Sequence, residues 1–154
     1  MRVAFAADHG GAALKDELLD RLRVEGGTAE LVDLGGDGSD PGDDYPEFAV
    51  RIGHAIQRAE ADRGVLVCGS GVGASVAASK MTGIRAAVCH DTYSAHQGVE
   101  HDDLNVLCLG GRVIGIELAL DIVRAYLAAT FSNEPRHRRR VEEVRAIEAA
   151  EQRP

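Results

Sequence analysis

The chain has 154 residues, of which 45% are hydrophobic and 27% are charged, and its formal net charge is −8 at neutral pH. This length and composition are typical of one globular domain, which we predict to span residues 1–154. The acidic balance argues against nucleic-acid binding, which needs a basic surface, and no apolar run approaches the roughly 20 residues of a membrane helix.

The first half of the chain alternates short apolar runs with segments of helical periodicity. Leucines recur every four positions from residue 14 to residue 22, which is the spacing of one helix face. Pro46 suits the first position of a later helix, because that position needs no N–H donor. In order, we predict a strand over 2–7, a helix from 12 that ends at Gly26 and Gly27, a strand over 30–34, a polar loop over 35–44, and a helix from Pro46.

The second half of the chain repeats this alternation. Its terminal segment carries only a narrow apolar stripe of Val141, Val144 and Ile147 among charges, so the helix there either frays or lies across another subunit. In order, we predict a strand over 65–67, a glycine turn with a small-residue helix, a strand over 84–88, a helix from 92 to about 103, a strand over 105–109, a helix over 115–130, and a terminal helix over about 133–152.

Strands that alternate with helices predict parallel βαβ units, and short apolar strands predict a sheet that is covered on both faces. We therefore expect an α/β fold, a three-layer α/β/α sandwich with a five-stranded, parallel, Rossmann-like sheet and an extended C-terminal helix. In such folds the ligand site lies outside the carboxyl ends of the strands. Side chains at those ends are the first candidates for function.

The third strand ends at Cys68 and continues directly into the turn Gly69–Gly73, with the sequence GSGVG. A glycine turn at the start of a helix exposes backbone N–H groups, which favour an anionic ligand or a developing oxyanion. The same helix end favours the thiolate form of a nearby cysteine. The turn has the spacing of neither a P-loop nor a dinucleotide fingerprint. We interpret Cys68 and this turn as a reactive cysteine beside an oxyanion cradle. The alternative is that Cys68 is a small buried core residue.

The remaining cysteines, Cys89 and Cys108, are predicted to be structural, since Cys108 lies within a strand. Three cysteines without a CxxC spacing indicate neither a disulfide framework nor a zinc site. The N-terminal segment becomes polar at Asp8, which is too early for a signal peptide. We therefore expect a cytoplasmic protein with free thiols.

Polar side chains follow the other strands. Asp8 and His9 come directly after the first strand, and Arg112 follows the fifth. Tyr45 follows the polar loop. Each also has a plain structural interpretation: Asp8 caps a helix, Tyr45 packs against its own helix, and Arg112 is a solvated charge. His101 precedes the fifth strand, so it reaches the same cleft only from a neighbouring subunit or through a bent connection.

A basic run, Arg136-His-Arg-Arg-Arg140, stands out because the protein is acidic overall. Arg136 and Arg140 are four residues apart and share one helix face, so together they suit a phosphate group. Arg112 fits the same purpose. The alternative for this run is a solvated helix face.

Several short segments follow one another along nearly the whole chain, from residue 3 to about residue 148. They are Asp8-His-Gly-Gly11, Asp44-Tyr-Pro46, Cys68-Gly-Ser-Gly-Val-Gly73, Ala78-Ser-Lys80, Gly83-Ile-Arg85, His101-Asp-Asp-Leu-Asn-Val106, Gly111-Arg112 and Arg136-His-Arg-Arg-Arg140. In this combination and order they resemble the ribose-5-phosphate isomerase type B family and its relatives, the galactose- and allose-6-phosphate isomerases.

The resemblance implies an aldose–ketose isomerase of sugar phosphates, with ribose 5-phosphate and ribulose 5-phosphate as the leading pair. It implies no metal, no organic cofactor, and a homodimer or homotetramer whose sites combine two subunits. Cys68 would move the proton between C1 and C2, because relatives that use a glutamate base carry it at the position of Ala74. Backbone N–H groups would stabilise the enediolate with help from Ser70, and they belong to Gly69, Gly71, Val72 and Gly73.

The resemblance assigns roles to the remaining candidates as well. Asp8 and His101 would open the furanose ring, and Tyr45 would line the sugar site. The C-terminal helix would pack on the partner subunit. The phosphate would be held by His9, Arg112, Arg136 and Arg140.

One position departs from the family pattern. Well-known members carry Asn after the histidine of the sixth segment, and this chain carries Asp102. Asn donates a hydrogen bond to a substrate hydroxyl or enediolate oxygen, whereas an ionised Asp only accepts one. Either Asp102 faces a hydroxyl donor of the substrate, or the substrate is not ribose 5-phosphate but a tetrose phosphate or a hexose 6-phosphate such as allose or galactose 6-phosphate. A non-catalytic phosphosugar-binding protein is the alternative from another class.

Overall fold

The computed structural model describes residues 1–151 and shows a five-stranded parallel sheet between two layers of helices. The predicted order of elements and the predicted α/β class are confirmed. The strands are β1 Arg2–Ala7, β2 Glu30–Asp33, β3 Arg63–Cys68, β4 Ala86–Val88 and β5 Val106–Gly110. The helices are α1 Ala12–Glu25, α2 Tyr45–Gln57, α3 Val72–Ala78, α4 Thr92–Asp102, α5 Ile116–Ala128 and α6 Pro135–Glu151. The predictions for residues 152–154 lie outside the described residues.

The order of the strands in the sheet, β2-β1-β3-β5-β4, positions the functional cleft. The chain leaves β1 towards β2 and then crosses to β3 on the other side of β1, so α1 and α2 cover opposite faces. Such a switch opens a crevice at the carboxyl ends of the two central strands. Here these ends are neighbours, because Ala7 of β1 pairs with Val67 of β3.

Alternate residues of each strand face two separate apolar cores, as expected for a sheet covered on both faces. Phe5 and Val65 belong to the core beneath α1, α4 and α5. Ala4 and Leu66 belong to the core beneath α2 and α3. Within residues 1–151, no helix combines the length and the apolar character that crossing a bilayer needs.

The predicted strand over 84–88 is shorter in the structure and starts at Ala86. Gly83 has a positive φ of 76°, and the N–H of Ile84 donates to the carbonyl of Met81, so this segment is a turn. The N–H of Arg85 donates to Oδ1 of Asn105, which further delays the strand ladder. Ile84 is nevertheless buried, because the turn packs it against the α2–α3 core.

Helix α6 continues without interruption to Glu151, so the predicted terminal helix is confirmed over the described residues. It is held to the body of the molecule by the N–H of Gly83, which donates to Glu148 Oε1 at 2.9 Å. Of its predicted apolar stripe only Val141 is buried, whereas Val144 is 52% and Ile147 is 64% exposed. One edge of α6 therefore presents apolar surface to the outside of this chain.

An unexpected buried charge, Lys15 on α1, anchors the start of the polar loop. Its ammonium group is 2.9 Å from Asp33 Oδ1 and 3.0 Å from Oδ2, and Lys15 is only 1% exposed. Asp33 Oδ1 also accepts the N–H of Gly35 at 2.9 Å. The next residue, Gly36, has a φ of 87°, and a Cβ there would lie 1.7 Å from the carbonyl oxygen of Ala7. The loop therefore leaves β2 in one defined direction, across the end of β1.

We predict that Lys15→Ala lowers the free energy of unfolding by about 2–3 kcal/mol, because it removes a buried stem and leaves the Asp33 carboxylate without its ammonium partner. Urea denaturation measures this change. The matched control is Lys80→Ala, since Lys80 is exposed, and its effect should stay within about 0.5 kcal/mol. Equal effects of the two substitutions would contradict the anchoring role of Lys15.

Candidate active site

A cleft of about 380 Å³ opens at the carboxyl ends of β1, β3 and β5, where the sequence predicted a site. It is bordered by the connections from these strands to α1, α3 and α5 and by the first residue of α2. Its lining residues are Asp8, His9, Gly10, Tyr45, Cys68, Gly69, Ser70, Gly73, Arg112 and Val113.

Direct backbone contacts hold the three connections together. The N–H of Gly111 donates to the carbonyl of Cys68 at 2.8 Å, and that of Arg112 donates to the carbonyl of Gly69 at 3.0 Å. On the other side, a Cβ on Gly11 would lie 2.4 Å from the carbonyl of Val67, so only glycine permits this approach. The cleft therefore has a floor of rigid main chain.

Cys68 lies at this floor and is 3% exposed. The N–H of Gly71 donates to its sulfur at 3.1 Å. Gly71 adopts a positive φ of 80°, which turns its N–H back towards the strand end. Negative charge on the sulfur therefore has a hydrogen-bond donor already in place.

The other two cysteines are buried, which agrees with the structural role predicted from the sequence. Burial raises the pKa of Cys89 to about 11, and burial together with the two neighbouring thiols raises that of Cys108. Neither lines the cleft. Cys68 is thus the thiol placed for chemistry, and the structure holds all three cysteines as free thiols.

The glycine turn contributes N–H groups in two ways. The N–H groups of Gly71 and Val72 are directed to Cys68 Sγ and to Ser70 Oγ, the latter at 3.3 Å, and neither residue lines the cleft. Gly69, Ser70 and Gly73 do line it. Their N–H groups are the first candidates for holding a substrate oxygen.

Tyr45 closes one side of the cleft against the turn. A Cβ on Gly73 would lie 2.7 Å from Cζ of Tyr45, so the ring reaches this position only because residue 73 is glycine. Tyr45 is the first residue of α2 and is 38% exposed. The alternative that Tyr45 only packs against its own helix is therefore incomplete, because it also lines the cleft.

Asp8 is buried at the end of β1, with 7% of its surface exposed. Its Oδ1 accepts the N–H of Gly10 at 2.9 Å, and its carbonyl accepts the N–H groups of Gly11 and Ala12. Burial raises the pKa of the Asp8 carboxyl above its ordinary value, although the N–H groups of Gly10 and Gly11 oppose the shift. A carboxyl with a raised pKa in a cleft is suited to general acid–base chemistry.

His9 follows Asp8 and is bound by a residue of the polar loop, Asp43. Both the backbone N–H and Nδ1 of His9 lie 2.8 Å from Asp43 Oδ1. The hydrogen bond to this carboxylate raises the pKa of His9. The sequence pointed to Tyr45 after this loop but not to Asp43, because nothing in the spacing showed that the loop folds back over His9.

Arg112 brings a positive charge to the cleft. Its side chain lies along Gly69, since a Cβ on that glycine would come within 3.7 Å of Arg112 Cδ and Nε. His9 and Arg112 both line the cleft and belong to different strand ends. An anionic group of a ligand could contact both.

A second group of predicted site residues lies elsewhere in the chain: His101, Asp102, Arg136 and Arg140. Helix α4 runs antiparallel to the strands, so its last residues lie at the amino ends of β3 and β5. Gly64 pairs with Val106 at that end, and Cys68 pairs with Gly110 at the other. At about 3.3 Å per residue, four residues of strand separate the two ends by roughly 13 Å. One chain therefore does not bring this group to Cys68.

His137 contacts two members of the second group, His101 and Arg136. The sequence did not single it out, because it lies within the basic run. It is 2% exposed, and its ring stacks on that of His101 with centroids 4.1 Å apart. Its Nδ1 is 2.6 Å from Ser132 Oγ, and its Nε2 accepts the side-chain Nε–H of Arg136 at 3.1 Å. The available signal was its spacing of four residues from buried Val141, which places both on the inner side of α6.

Burial lowers the pKa of His137, and the nearby His101 lowers it further. This agrees with a neutral ring that accepts from Arg136 at one nitrogen. A groove of about 900 Å³ runs beside this group, between β4, α4 and α6, and is lined in part by Asp102, Val144 and Ile147. Across residues 1–151, no group of three or more His, Cys, Asp or Glu side chains could hold a metal ion.

Comparisons with known proteins agree with this geometry. The family model described as Ribose/Galactose Isomerase matches residues 3–144. The chain is 46% identical over 147 residues to the ribose-5-phosphate isomerase B of Escherichia coli strain K12, covering 96% of each chain. It is 35% identical over 150 residues to the D-erythrulose-4-phosphate isomerase 2 of Mycolicibacterium smegmatis, covering 97% of this chain and 99% of that one.

A solved structure is also similar. The ribose-5-phosphate isomerase B of Mycoplasma genitalium, with bound ribulose-5-phosphate, superposes with a TM-score of 0.87 at 34% identity. The superposition covers 96% of each chain. The similarity therefore extends over the whole described fold rather than over one motif.

Proposed function

We propose that this chain, which belongs to the ribose/galactose isomerase family, interconverts ribose 5-phosphate and ribulose 5-phosphate. The observation that carries the proposal is Cys68, whose sulfur accepts the Gly71 N–H at the floor of a cleft that also contains the buried carboxyl of Asp8. A base, an acid and cationic side chains in one cleft suit proton transfer next to a carbonyl. The names of the relatives described above support the same substrate class.

The first step is opening of the furanose ring. A proton leaves the anomeric hydroxyl and another reaches the ring oxygen, so two acid–base groups are needed. Asp8 supplies one, since its raised pKa makes its proton available at higher pH than usual. His101 of a second copy supplies the other.

The second step moves a proton from C2 to C1. The Cys68 thiolate takes the C2 proton, and the bonding electrons form the C1–C2 double bond of an enediolate. The resulting thiol exchanges its hydrogen with solvent while the enediolate is bound and then gives a proton to C1. The hydroxyl proton on O2 passes to O1, so the ketose has the same atoms as the aldose. N–H groups of Gly69, Ser70 and Gly73 hold the developing oxyanion, and each such donor contributes about 3 kcal/mol to the transition state.

The phosphate group stays outside the chemistry and positions the sugar. His9 and Arg112 contact it from the chain that carries Cys68. Arg136 and Arg140 contact it from the second copy, and both are exposed on α6. Tyr45 covers the sugar between the phosphate and the reacting carbons.

We propose a homodimer as the working unit, and further pairing of dimers into a homotetramer would leave this scheme unchanged. Three observations support it: the roughly 13 Å of strand between the two groups of site residues, the exposed Val144 and Ile147 on α6, and the groove beside them. Apolar surface of this kind is typical of an interface between subunits. The three free thiols support a reducing compartment, and we propose the cytoplasm.

A second candidate substrate is a tetrose phosphate. Asp102 favours it, because a carboxylate at this position accepts from a substrate hydroxyl but donates to no substrate oxygen. The similarity to the D-erythrulose-4-phosphate isomerase of Mycolicibacterium smegmatis supports the same alternative. A hexose 6-phosphate would use the same chemistry with a longer chain.

We predict that kcat/KM is highest for ribose 5-phosphate among aldose phosphates of four, five and six carbons, as measured by direct assay of ketose formation.

Cys68→Ala should lower kcat by about 10²- to 10⁴-fold, because it removes the base. Cys89→Ala is the matched control and should retain near-native kcat, since Cys89 lies outside the cleft. A preference for the four-carbon substrate would establish the second candidate, and binding without turnover of any substrate would contradict isomerase activity.

We also predict that two inactive variants complement each other. In a mixture of Cys68→Ala and His101→Asn chains, half of the dimers are mixed and each mixed dimer has one intact site, so about one quarter of native activity returns. Cys68→Ala mixed with Asp8→Asn is the matched control. These two residues line one cleft of one chain, so every site keeps a defect and the mixture stays inactive. Failure of the first mixture to regain activity would contradict a shared site.

A further inference from the structure

We propose that Asp43 is a positioning residue for phosphate recognition: it holds His9 with Nδ1 protonated against the loop, which leaves Nε2 as a cationic N–H donor for the cleft. This inference rests on the proposed role of His9 in holding the phosphate of the substrate. Asp43 itself does not touch the phosphate. It acts through the imidazole ring.

Two groups of His9, its backbone N–H and its ring nitrogen Nδ1, contact Asp43. One carboxylate oxygen, Asp43 Oδ1, lies 2.8 Å from the backbone N–H of His9 and 2.8 Å from its Nδ1. The backbone carbonyl of Asp43 lies 3.3 Å from the same ring nitrogen. Both the main chain and the ring of His9 are therefore fixed by a single loop residue.

The chemistry of the partners determines which ring nitrogen carries hydrogen. An ionised carboxylate and a carbonyl only accept hydrogen bonds, so Nδ1 must be the protonated nitrogen. In a neutral ring, Nε2 would then present a lone pair, which repels a phosphate oxygen. In the charged ring, Nε2 presents an N–H, which makes a charge-assisted hydrogen bond to phosphate. His9 is thus an effective phosphate ligand only while it is charged.

The surroundings of His9 favour that charge. Asp43 from the loop and Asp8 from the same turn both bring negative charge to the ring. Arg112 from the connection after β5 is the opposing positive charge, and Tyr45 and Cys68 are the other titratable groups that line the cleft. The hydrogen bond to Asp43 is the main cause that raises the pKa of His9. Since that pKa is raised, the cationic donor is fully present below its ordinary value of 6.5 and is lost only as the pH rises through the raised pKa.

Contacts at both ends of the polar loop fix the position of Asp43. Its first turn is anchored by the Lys15–Asp33 ion pair and by Gly36 packed on Ala7. At its other end, the N–H of Asp43 donates to the carbonyl of Asp40 at 3.3 Å. The two neighbouring acidic residues have other places in the structure: Oδ1 of Asp8 accepts the N–H of Gly10, and Asp44 is the N-cap residue of α2.

The experiment uses the full-length protein with Asp43→Asn, and inorganic phosphate as the probe. Asn retains an oxygen that accepts both hydrogen bonds but removes the charge, so it isolates the electrostatic contribution. The His9 pKa is followed by NMR of the imidazole nitrogens, assigned with His9→Gln, over about pH 5.5 to 9. Phosphate affinity is measured by calorimetry at the same pH values, where the ionisation of phosphate is identical for every variant.

We expect the His9 pKa to fall in Asp43→Asn and phosphate binding near pH 7 to weaken by about three- to tenfold. Binding should recover towards the native value at the acidic end, where His9 is charged in both proteins. Asp43→Ala, which also loses the hydrogen bonds, should bind more weakly at every pH. The matched control is Asp40→Asn on the same loop, because Asp40 Oδ1 accepts only from Gly42 N–H at 2.8 Å and Asn preserves that turn.

Three results would overturn the inference: an unchanged His9 pKa in Asp43→Asn, equal weakening at all pH values, or equal effects of Asp43→Asn and Asp40→Asn. Absence of phosphate binding to the native protein would overturn it as well. None of these readouts requires turnover. If the protein had no isomerase activity, a measured dependence of the His9 pKa on Asp43 would still stand. If the protein were an active isomerase with an unchanged His9 pKa, only the proposed role of Asp43 would be contradicted.

Discussion

The close approach of main chain at the carboxyl edge of the sheet is the constraint on which the cleft depends. Gly11 packs on the carbonyl of Val67, and Gly111 donates to the carbonyl of Cys68, so three connections form one floor. Cys68 is the last residue of its strand, and the positive φ of Gly71 directs an N–H to its sulfur. A side chain at any of these glycines would separate the base from the groups that surround it.

This rigid floor carries only part of the proposed site. The β4–α4–β5 unit returns the chain to the amino ends of the strands, which is why His101 lies away from Cys68 and stacks on His137 instead. In the proposed homodimer, this placement would let a second copy complete the site. Each chain would supply the proposed base and oxyanion cradle at one end, and the proposed acid–base histidine and two arginines at the other.

The strands, helices and cleft location followed from the sequence, because periodicity and the carboxyl-end rule depend on local pattern and on topology. The late start of β4 after the turn at Gly83 did not follow from the sequence, because it depends on hydrogen bonds between distant segments. Asp43, His137 and Lys15 were missed for the same reason. Each acquires its role from a partner at least 5 residues away, namely His9, Ser132 and Asp33, and spacing alone does not identify such pairs.

The central claim is that Cys68 transfers the proton between C2 and C1. The most direct test is hydrogen exchange during conversion of unlabelled ribose 5-phosphate in D2O, with deuterium at C1 of the first ribulose 5-phosphate formed measured by NMR. The account predicts that the native protein incorporates deuterium at C1 and that Cys68→Ala does so at least about 10²-fold more slowly. Incorporation at the native rate in Cys68→Ala would contradict it.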